Sequence, residues 1–348
     1  MLKYIIRRLL VMPIIILLVT AILFLILLQV PVEQRAGVYV PSANPHLTEE
    51  QYAALVEATI ERYGLNEPFY IQYWNWIKNL VRGEWGYSPA SRESVLSALR
   101  RRAPATMELA LYAMIPASLL AIATGSAAAR RRNRLPDRLV RVTTFVGWAF
   151  PPFILALLFM SLFYAWLGWF PPERMSVWVS PIISSDTFRS YTGLLTMDAL
   201  LNGRMDVLVD ALRHLVLPAL SLGILQWALL TRIMRSALIE VLGDDYIVTA
   251  RAKGVPEGQV IARHARRNAL LPVISAGGVA TSMLITWVVV IETVFNYNGV
   301  GRWAAKAILQ ADIPVAIGFA IFACSIVIVA SLIADLMYAV ADPRVRLF

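Results

Sequence analysis

Long apolar runs, each about the length of a bilayer crossing, alternate along the chain with short stretches that carry most of its charge. A hydrocarbon core of roughly 30 Å asks for about 20 mostly apolar residues per spanning helix. Six segments meet that demand, at about 9–30, 103–129, 139–170, 215–240, 270–295 and 314–341. The pattern predicts an all-α integral membrane protein with six transmembrane helices. Pro13, Pro116, Pro151 with Pro152, and Pro218 fall inside these segments or at their ends. Kinks are expected there, because neighbouring helices can satisfy the backbone groups that a proline frees. The first run is too long for a signal-peptide core and no A-x-A-like site follows it, so it reads as an anchor that stays.

Between the runs, "TEEQYAALVEATIERYGL" has a capping start at Thr48 with Glu50 close by, helical spacing of apolar residues, and Gly64 as a stop. "EPFYIQYWNWIKNLVRGEWG" then brings Tyr70, Tyr73, Trp74 and Trp76 together, a set suited to the headgroup zone. Three parts follow: residues 1–30 with helix one, a partly helical external region at 31–102, and a five-helix core at 103–348.

Composition agrees with the membrane class. The 348 residues are 58% hydrophobic and only 16% charged. The net charge of +9 acquires meaning from its placement. Lys3, Arg7 and Arg8 precede helix one; Arg130, Arg131, Arg132, Arg134 and Arg138 lie between helices two and three; Arg251, Lys253, Arg263, Arg266 and Arg267 lie between four and five; Arg344 and Arg346 end the chain. These four regions alternate as cytoplasmic loops should, so both termini are expected in the cytoplasm. The 72-residue region from Pro31 to Arg102 carries eight basic residues and would be external, which the charge rule tolerates in loops beyond about 60 residues. Basic residues spread over separate loops fit anionic lipid and no nucleic acid. The single cysteine, Cys324, lies in the last apolar run and reads as packing; no His and Cys cluster has metal spacing.

One interruption stands apart: "TARAKGVPEGQVIARHARRNALLP", Thr249 to Pro272. Asp244 and Asp245 suit a helix N-terminus, Lys253 its C-terminus, Gly254 a left-handed cap, and Pro256 the first turn of a second helix. A cytoplasmic helix-turn-helix at 244–272 is predicted. Ala250 and Ala252 leave its first helix accessible to another protein's surface. On its second, Arg263, Arg266 and Arg267 share one face, and Ile261, Ala265 and Ala269 the other. Spacing alone leaves open that this is only a topology determinant. His264 reads as a polar packing residue.

"DDYIVTARAKG" followed by "RHARRNALLP" resembles the coupling loop of ABC-transporter permease subunits, in the version of the oligopeptide/dipeptide permease family. The family's Glu-Ala-Ala triplet falls on Val248, Thr249 and Ala250, of which only the alanine is kept; its glycine falls on Gly254 and its Leu-Pro on Leu271 and Pro272. Further matches run along nearly the whole chain: "MLKYIIRRLL", "GLNEPFYIQYWNWIKNLVRGEWGYS", "RRAPATMELAL", "LRHLVLPALSLG", "IETVFNYNGVGR" and "ADPRVRL". The section 171–212, an external insertion, matches nothing in the family pattern.

The resemblance implies the type I importer permease fold and a non-catalytic subunit that forms half of a translocation path. It implies a second homologous permease, with which this chain would form a heterodimer, two cytoplasmic ATPase subunits that carry the ATP and Mg, and an external solute-binding protein. Thr249, Ala250, Arg251, Ala252, Lys253, Gly254 and Pro272 would be the ATPase-coupling residues. The leading cargo is peptides, with nickel, glutathione or oligosaccharides as alternatives. The residues agree in one respect: no G-x-x-x-x-G-K-[ST] phosphate loop occurs, so this chain supplies no nucleotide site. An ion-driven carrier acting alone would place charges near the midplane and show an internal repeat, and neither is apparent. A membrane enzyme would need a convergent catalytic constellation, which the sequence lacks.

Ionisable residues inside spans are costly and often functional. Glu108, Glu292 and Asp335, with Arg232 and Arg235, are read as close enough to an interface to be solvated. Glu108, Glu292, Asn296, Gly299 and Gly301 are the candidates for a path or gate, because "ETVFNYNGVG" joins a charge to a glycine-rich turn.

Overall fold

The computed structural model describes residues 2–37 and 48–341; the expected basic residues Arg344 and Arg346, and all but the first residue of "ADPRVRL", lie outside them. The chain divides into two compact units. One comprises Met1–Arg8, Ala105–Asn298 and Val327–Phe348; the other comprises Leu9–Pro104 and Gly299–Ile326.

The second unit begins with most of α1 (Leu2–Leu27), followed by α2 (Val32–Gly37), α3 (Glu49–Tyr63) and α4 (Phe69–Arg82). Thr48 caps α3, but the box closes with Gln51 and not with Glu50: Gln51 N donates to Thr48 Oγ1 at 3.3 Å and Thr48 N to Gln51 Oε1 at 3.1 Å. Gly64 ends the helix at φ 60°. The aromatic set divides in two. Tyr73 and Trp76 pack on Phe24 of α1, and Tyr73 Oη donates to Leu17 O, whereas Tyr70 and Trp74 are exposed. A short hairpin, β1 (Tyr87–Ser88) with β2 (Glu93–Ser94), leads into α5 (Val95–Arg130). Val95, Ala98 and Leu99 share a core with Val300, Trp303, Ala304, Ala307 and Val315.

The first unit takes up α5 from Ala105 and continues with α6 (Leu135–Ala149), α7 (Pro152–Phe159), a π-helical turn (Met160–Trp166), α8 (Val179–Ile183), α9 (Leu195–Leu201) and α10 (Met205–Val241). It ends with α11 (Asp245–Ala252), α12 (Glu257–Gln259), a second π-helical turn (Val260–Ala265) and α13 (Arg266–Val294). Helix α14 (Val300–Leu309) belongs to the other unit, and α15 (Ile313–Ala341) enters this one at Val327. Helix α10 is the hub, in contact with α6, α7, α9 and α13. Helices α5 and α10 approach so closely that a Cβ on Gly125 would stand 2.8 Å from Thr231 O, the small-residue packing that membrane helices use.

The expected spans need correction in one place. The predicted segment 139–170 is not one helix: α6 and the α7 stretch to Trp166 meet at 97°. Phe150 precedes a proline and is held extended at φ −96°, ψ 128°, as is Pro151 at ψ 142°, so α6 cannot continue. Elsewhere the helices outrun the apolar segments. Helix α5 begins at Val95, α10 at Met205, and the helical run into α13 at Glu257, and each extension packs through apolar residues: Val95 and Leu99, Val207 and Ala211, Val260 and Ile261. Among the described residues, four helices are long and apolar enough to cross a membrane, and a fifth if the bent pair is one span; α1 contributes the shorter apolar stretch Pro13–Leu27.

Candidate functional site

The stretch expected to couple to an ATPase is a bent pair of short helices packed on the end of α10. Asp244, extended at ψ 148°, starts α11, and Gly254 at φ +75° reverses the chain after Lys253. Only glycine takes that backbone conformation without strain. Gly254 N donates to Arg251 O at 2.9 Å and Val255 N to Ala250 O at 3.3 Å, the two bonds of a left-handed helix end. Arg251 spans the bend: Nη2 and Nε donate to Glu257 Oε1 and Oε2 at 2.8 and 3.0 Å. The Glu257 carboxylate raises the Arg251 pKa, so the clasp stays charged at any physiological pH. Both side chains are well exposed, which limits the pair to less than about 1 kcal/mol.

What fixes this turn is apolar. Ile247 is fully buried and packs in one cluster with Met234 and Leu238 of α10 and with Val260, Ile261, Ala265 and Ala269. The expected inner face, Ile261, Ala265 and Ala269, is thus buried, and Arg263, Arg266 and Arg267 are exposed. Two expectations change. His264 is exposed rather than packed inside, and the second helix is not separate, since the π-turn carries it straight into α13 with Pro272 inside. The helical run from the bend is thus continuous over 38 residues, Glu257–Val294. Thr249, Arg251, Ala252, Lys253 and Gly254 all lie on the exposed side, with Ala250 half-buried.

The path candidates lie in a different environment from the one expected. Glu108 is 1% exposed and Glu292 0%, so neither is solvated at an interface. Glu108 Oε2 accepts from Arg174 Nη2 at 2.8 Å, and Oε1 accepts from Thr196 N and Oγ1, each at 2.7 Å. Arg174 Nη2 also donates to Gly193 O at 2.9 Å. Glu292 Oε1 accepts from Thr106 Oγ1 at 2.6 Å. Burial opposes the Arg174 charge, but Tyr297 and Glu108 outweigh it and raise its pKa. Burial, then the Glu108 charge, push the Tyr297 phenol far up, so it stays neutral. Asn296, at φ +55°, donates from Nδ2 to Glu173 Oε1 at 2.7 Å. Gly299 caps α14 and Gly301 is buried in its first turn.

The section 171–212, without a motif, supplies half of this cluster. It has its own core of Val179, Leu195, Ala199, Val207 and Ala211. Asp198 folds its central loop, accepting from the backbone N–H groups of Tyr191, Thr192 and Gly193. Asp210 accepts from Ser176 N at 2.9 Å and Ser176 Oγ at 2.6 Å. No spacing in the sequence announces these long-range partners. Arg235 likewise finds Asp137, with Nε and Nη2 at 2.5 and 2.9 Å from its carboxylate, and Arg232 lies 4.7 Å over the Trp148 ring.

Residues 121–347 match the model of the binding-protein-dependent transport system inner membrane component, and residues 1–110 match that family's N-terminal region. The chain belongs to this family of transport-system membrane components. A di/tripeptide transport system permease protein of Pseudomonas aeruginosa is 36% identical over 82% of this chain and 84% of its own length. A dipeptide transport system permease protein of Alkalihalophilus pseudofirmus is 34% identical over 99% of this chain and 100% of its own. A glutathione transport system permease protein of Escherichia coli is 31% identical over 99% of both. This membrane component is thus a multi-pass protein of a binding-protein-dependent transporter, and its exposed bend and buried charge cluster have to be understood in that setting.

Proposed function

We propose that this chain forms half of the translocation path of an ATP-driven importer of di- and oligopeptides. The peptide cargo is supported by the names of its relatives, dipeptide, di/tripeptide and oligopeptide permease proteins at 33–38% identity over most of the chain. In this reading α1, α5, the bent α6–α7 pair, α10, α12–α13 and α15 are six spans, with both termini in the cytoplasm. A second homologous permease completes the path, an external solute-binding protein delivers the peptide, and two cytoplasmic ATPase subunits carry ATP and Mg.

The observation that carries the proposal is the exposed bend at Thr249–Gly254, anchored by Ile247 and continuous through the π-turn with α13. It offers small side chains to a partner and a stiff connection to the membrane. ATPase closure would push the bend, and α13 would pass the displacement to the path. Glu108 and Asn296 act in this reading by holding residues 173–196 against the helices, Glu292 ties α13 to Thr106 of α5, and Gly299 and Gly301 supply the turn that moves.

Gly254→Pro removes the reversal while leaving the apolar anchor. In proteoliposomes with the ATPases and binding protein, this variant should insert normally yet lose ATP-driven uptake. Wild-type transport by it would refute the coupling role. A cross-linker on Ala252 should capture a nucleotide-hydrolysing chain.

A further inference from the structure

Arg35 of α2 is only 9% exposed and faces a cavity of about 50 Å³, room for a few waters or one small polar group. Its Nη1 donates to Gln72 Oε1 at 2.9 Å and its Nη2 reaches Leu65 O at 3.5 Å, but its Nε has no partner. Among the described residues no carboxylate lies within ion-pair distance of it; Glu84, which also lines the cavity, is exposed and unpaired with it. The segment 38–47, VYVPSANPHL, contains no acidic residue that would neutralise it. A guanidinium does not give up its proton inside proteins, and a buried charge left without a counterion is strongly destabilising. An anion from outside the chain is therefore called for.

The cavity walls define that anion further. Beside Arg35 stand Asn75 and Asn79, whose side-chain amides make no hydrogen bond among the described residues and so have free donors. The lining also includes apolar side chains, Phe24 and Leu27 at the end of α1 and Ile317 and Ile321 in the first turns of α15. The neighbouring Ile22, Leu25 and Ile26 of α1 present exposed apolar side chains of the kind that face lipid. A fork of guanidinium N–H donors matches phosphate oxygens, and an apolar exit suits what is attached to a lipid phosphate.

We propose that this cavity is a binding site for the phosphate of a membrane phospholipid, held by Arg35 with Asn75 and Asn79, its glycerol and acyl part leaving along Phe24, Leu27, Ile317 and Ile321. The lipid would complete the charge balance of the unit and fix the end of α1 to α4 and the start of α15. The site depends on the chain being a membrane protein and is independent of its cargo.

Native mass spectrometry of the intact transporter complex, extracted in mild detergent and progressively delipidated, tests it. The wild-type complex should retain one phospholipid more than the Arg35→Met complex, with retention at this site falling about tenfold or more on loss of the charged hydrogen bonds. Leu27→Trp, which fills the apolar end and leaves Arg35 in place, should also release that lipid, and carries the test if Arg35→Met fails to fold. Millimolar inorganic phosphate should not displace it. Equal lipid retention in wild type and the folded variants would overturn the proposal. So would displacement by inorganic phosphate or by a free peptide carboxylate, which would assign the cavity to a soluble anion.

Discussion

Arg174 and Glu108 stand 2.8 Å apart, 66 positions apart in sequence, and join the section after α7 to the buried face of α5. The pair is held in place by Thr196 on the carboxylate and Gly193 on the guanidinium. Removing one partner leaves the other buried and uncompensated. Glu108→Gln and Arg174→Met should each cost about 3 kcal/mol. The double variant should cost less than the sum of the two, because no orphan charge remains. Thermal unfolding of the purified complex, read as a double-mutant cycle, measures this coupling; strict additivity would mean that the two side chains do not act as a pair.

Asp137 and Arg235 form the corresponding pair between α6 and α10. Asp137 is fully buried and accepts from Asn133 N at 2.9 Å as well as from two Arg235 nitrogens. Asp137→Ala should therefore lower stability by about 3 kcal/mol. Exposed Arg141, 3.9 Å from the same carboxylate, is a minor partner. Arg141→Ala should change stability by less than about 0.5 kcal/mol, and the ratio of the two losses in thermal unfolding is the check.

The two pairs also mark where the sequence stops being legible. Helices followed from apolar length, and the bend at Gly254 from its caps, because both depend on neighbours within a few residues. The same local periodicity sets Ile261, Ala265 and Ala269 on the face opposite the arginines, and that face is buried. Glu108 and Glu292 read as solvated because they lie near the ends of the expected spans, close to an interface. Their environment comes from residues 66 and 186 positions away. Helix ends went the same way: the apolar segment starts at 103, but α5 begins at Val95, where Val95, Ala98 and Leu99 pack in a core with Val300 and Trp303. Arg35, one of eight basic residues in a long loop, gave no sign of being buried.

Asp198 makes the 171–212 section acid-sensitive. Burial would raise its pKa, but the Thr192 backbone and hydroxyl, the Ser190 hydroxyl and the Gly193 backbone outweigh it and lower the value below that of an ordinary aspartate. A carboxylate with a depressed folded pKa contributes stability that is fully present above its unfolded pKa of about 4 and is lost as pH falls through the folded one. The amides of Tyr191, Thr192 and Gly193 should keep their hydrogen-exchange protection, corrected for intrinsic rates, from neutral pH down to about pH 4. Protection should decline only below that. Asp198→Asn should abolish the pH step and lower protection throughout; a step near pH 6 would point to a histidine instead.

Gly254 and Gly203 allow backbone strain to be separated from coupling. Both have positive φ, +75° and +68°, and at both a Cβ would meet nothing within 4 Å. An alanine at either position therefore carries the same conformational cost, about 1 kcal/mol, and no steric one. Gly254 lies in the exposed bend between α11 and α12, and Gly203 in the turn between α9 and α10. Gly254→Ala and Gly203→Ala should lower thermal stability alike, but only Gly254→Ala should reduce peptide taken up per ATP hydrolysed in proteoliposomes. Gly254→Ala should be milder than Gly254→Pro, since alanine can still reach the left-handed region and keeps the N–H that donates to Arg251 O. Equal uptake per ATP in the two alanine variants would show that the bend contributes folding stability alone and transmits no movement to α13.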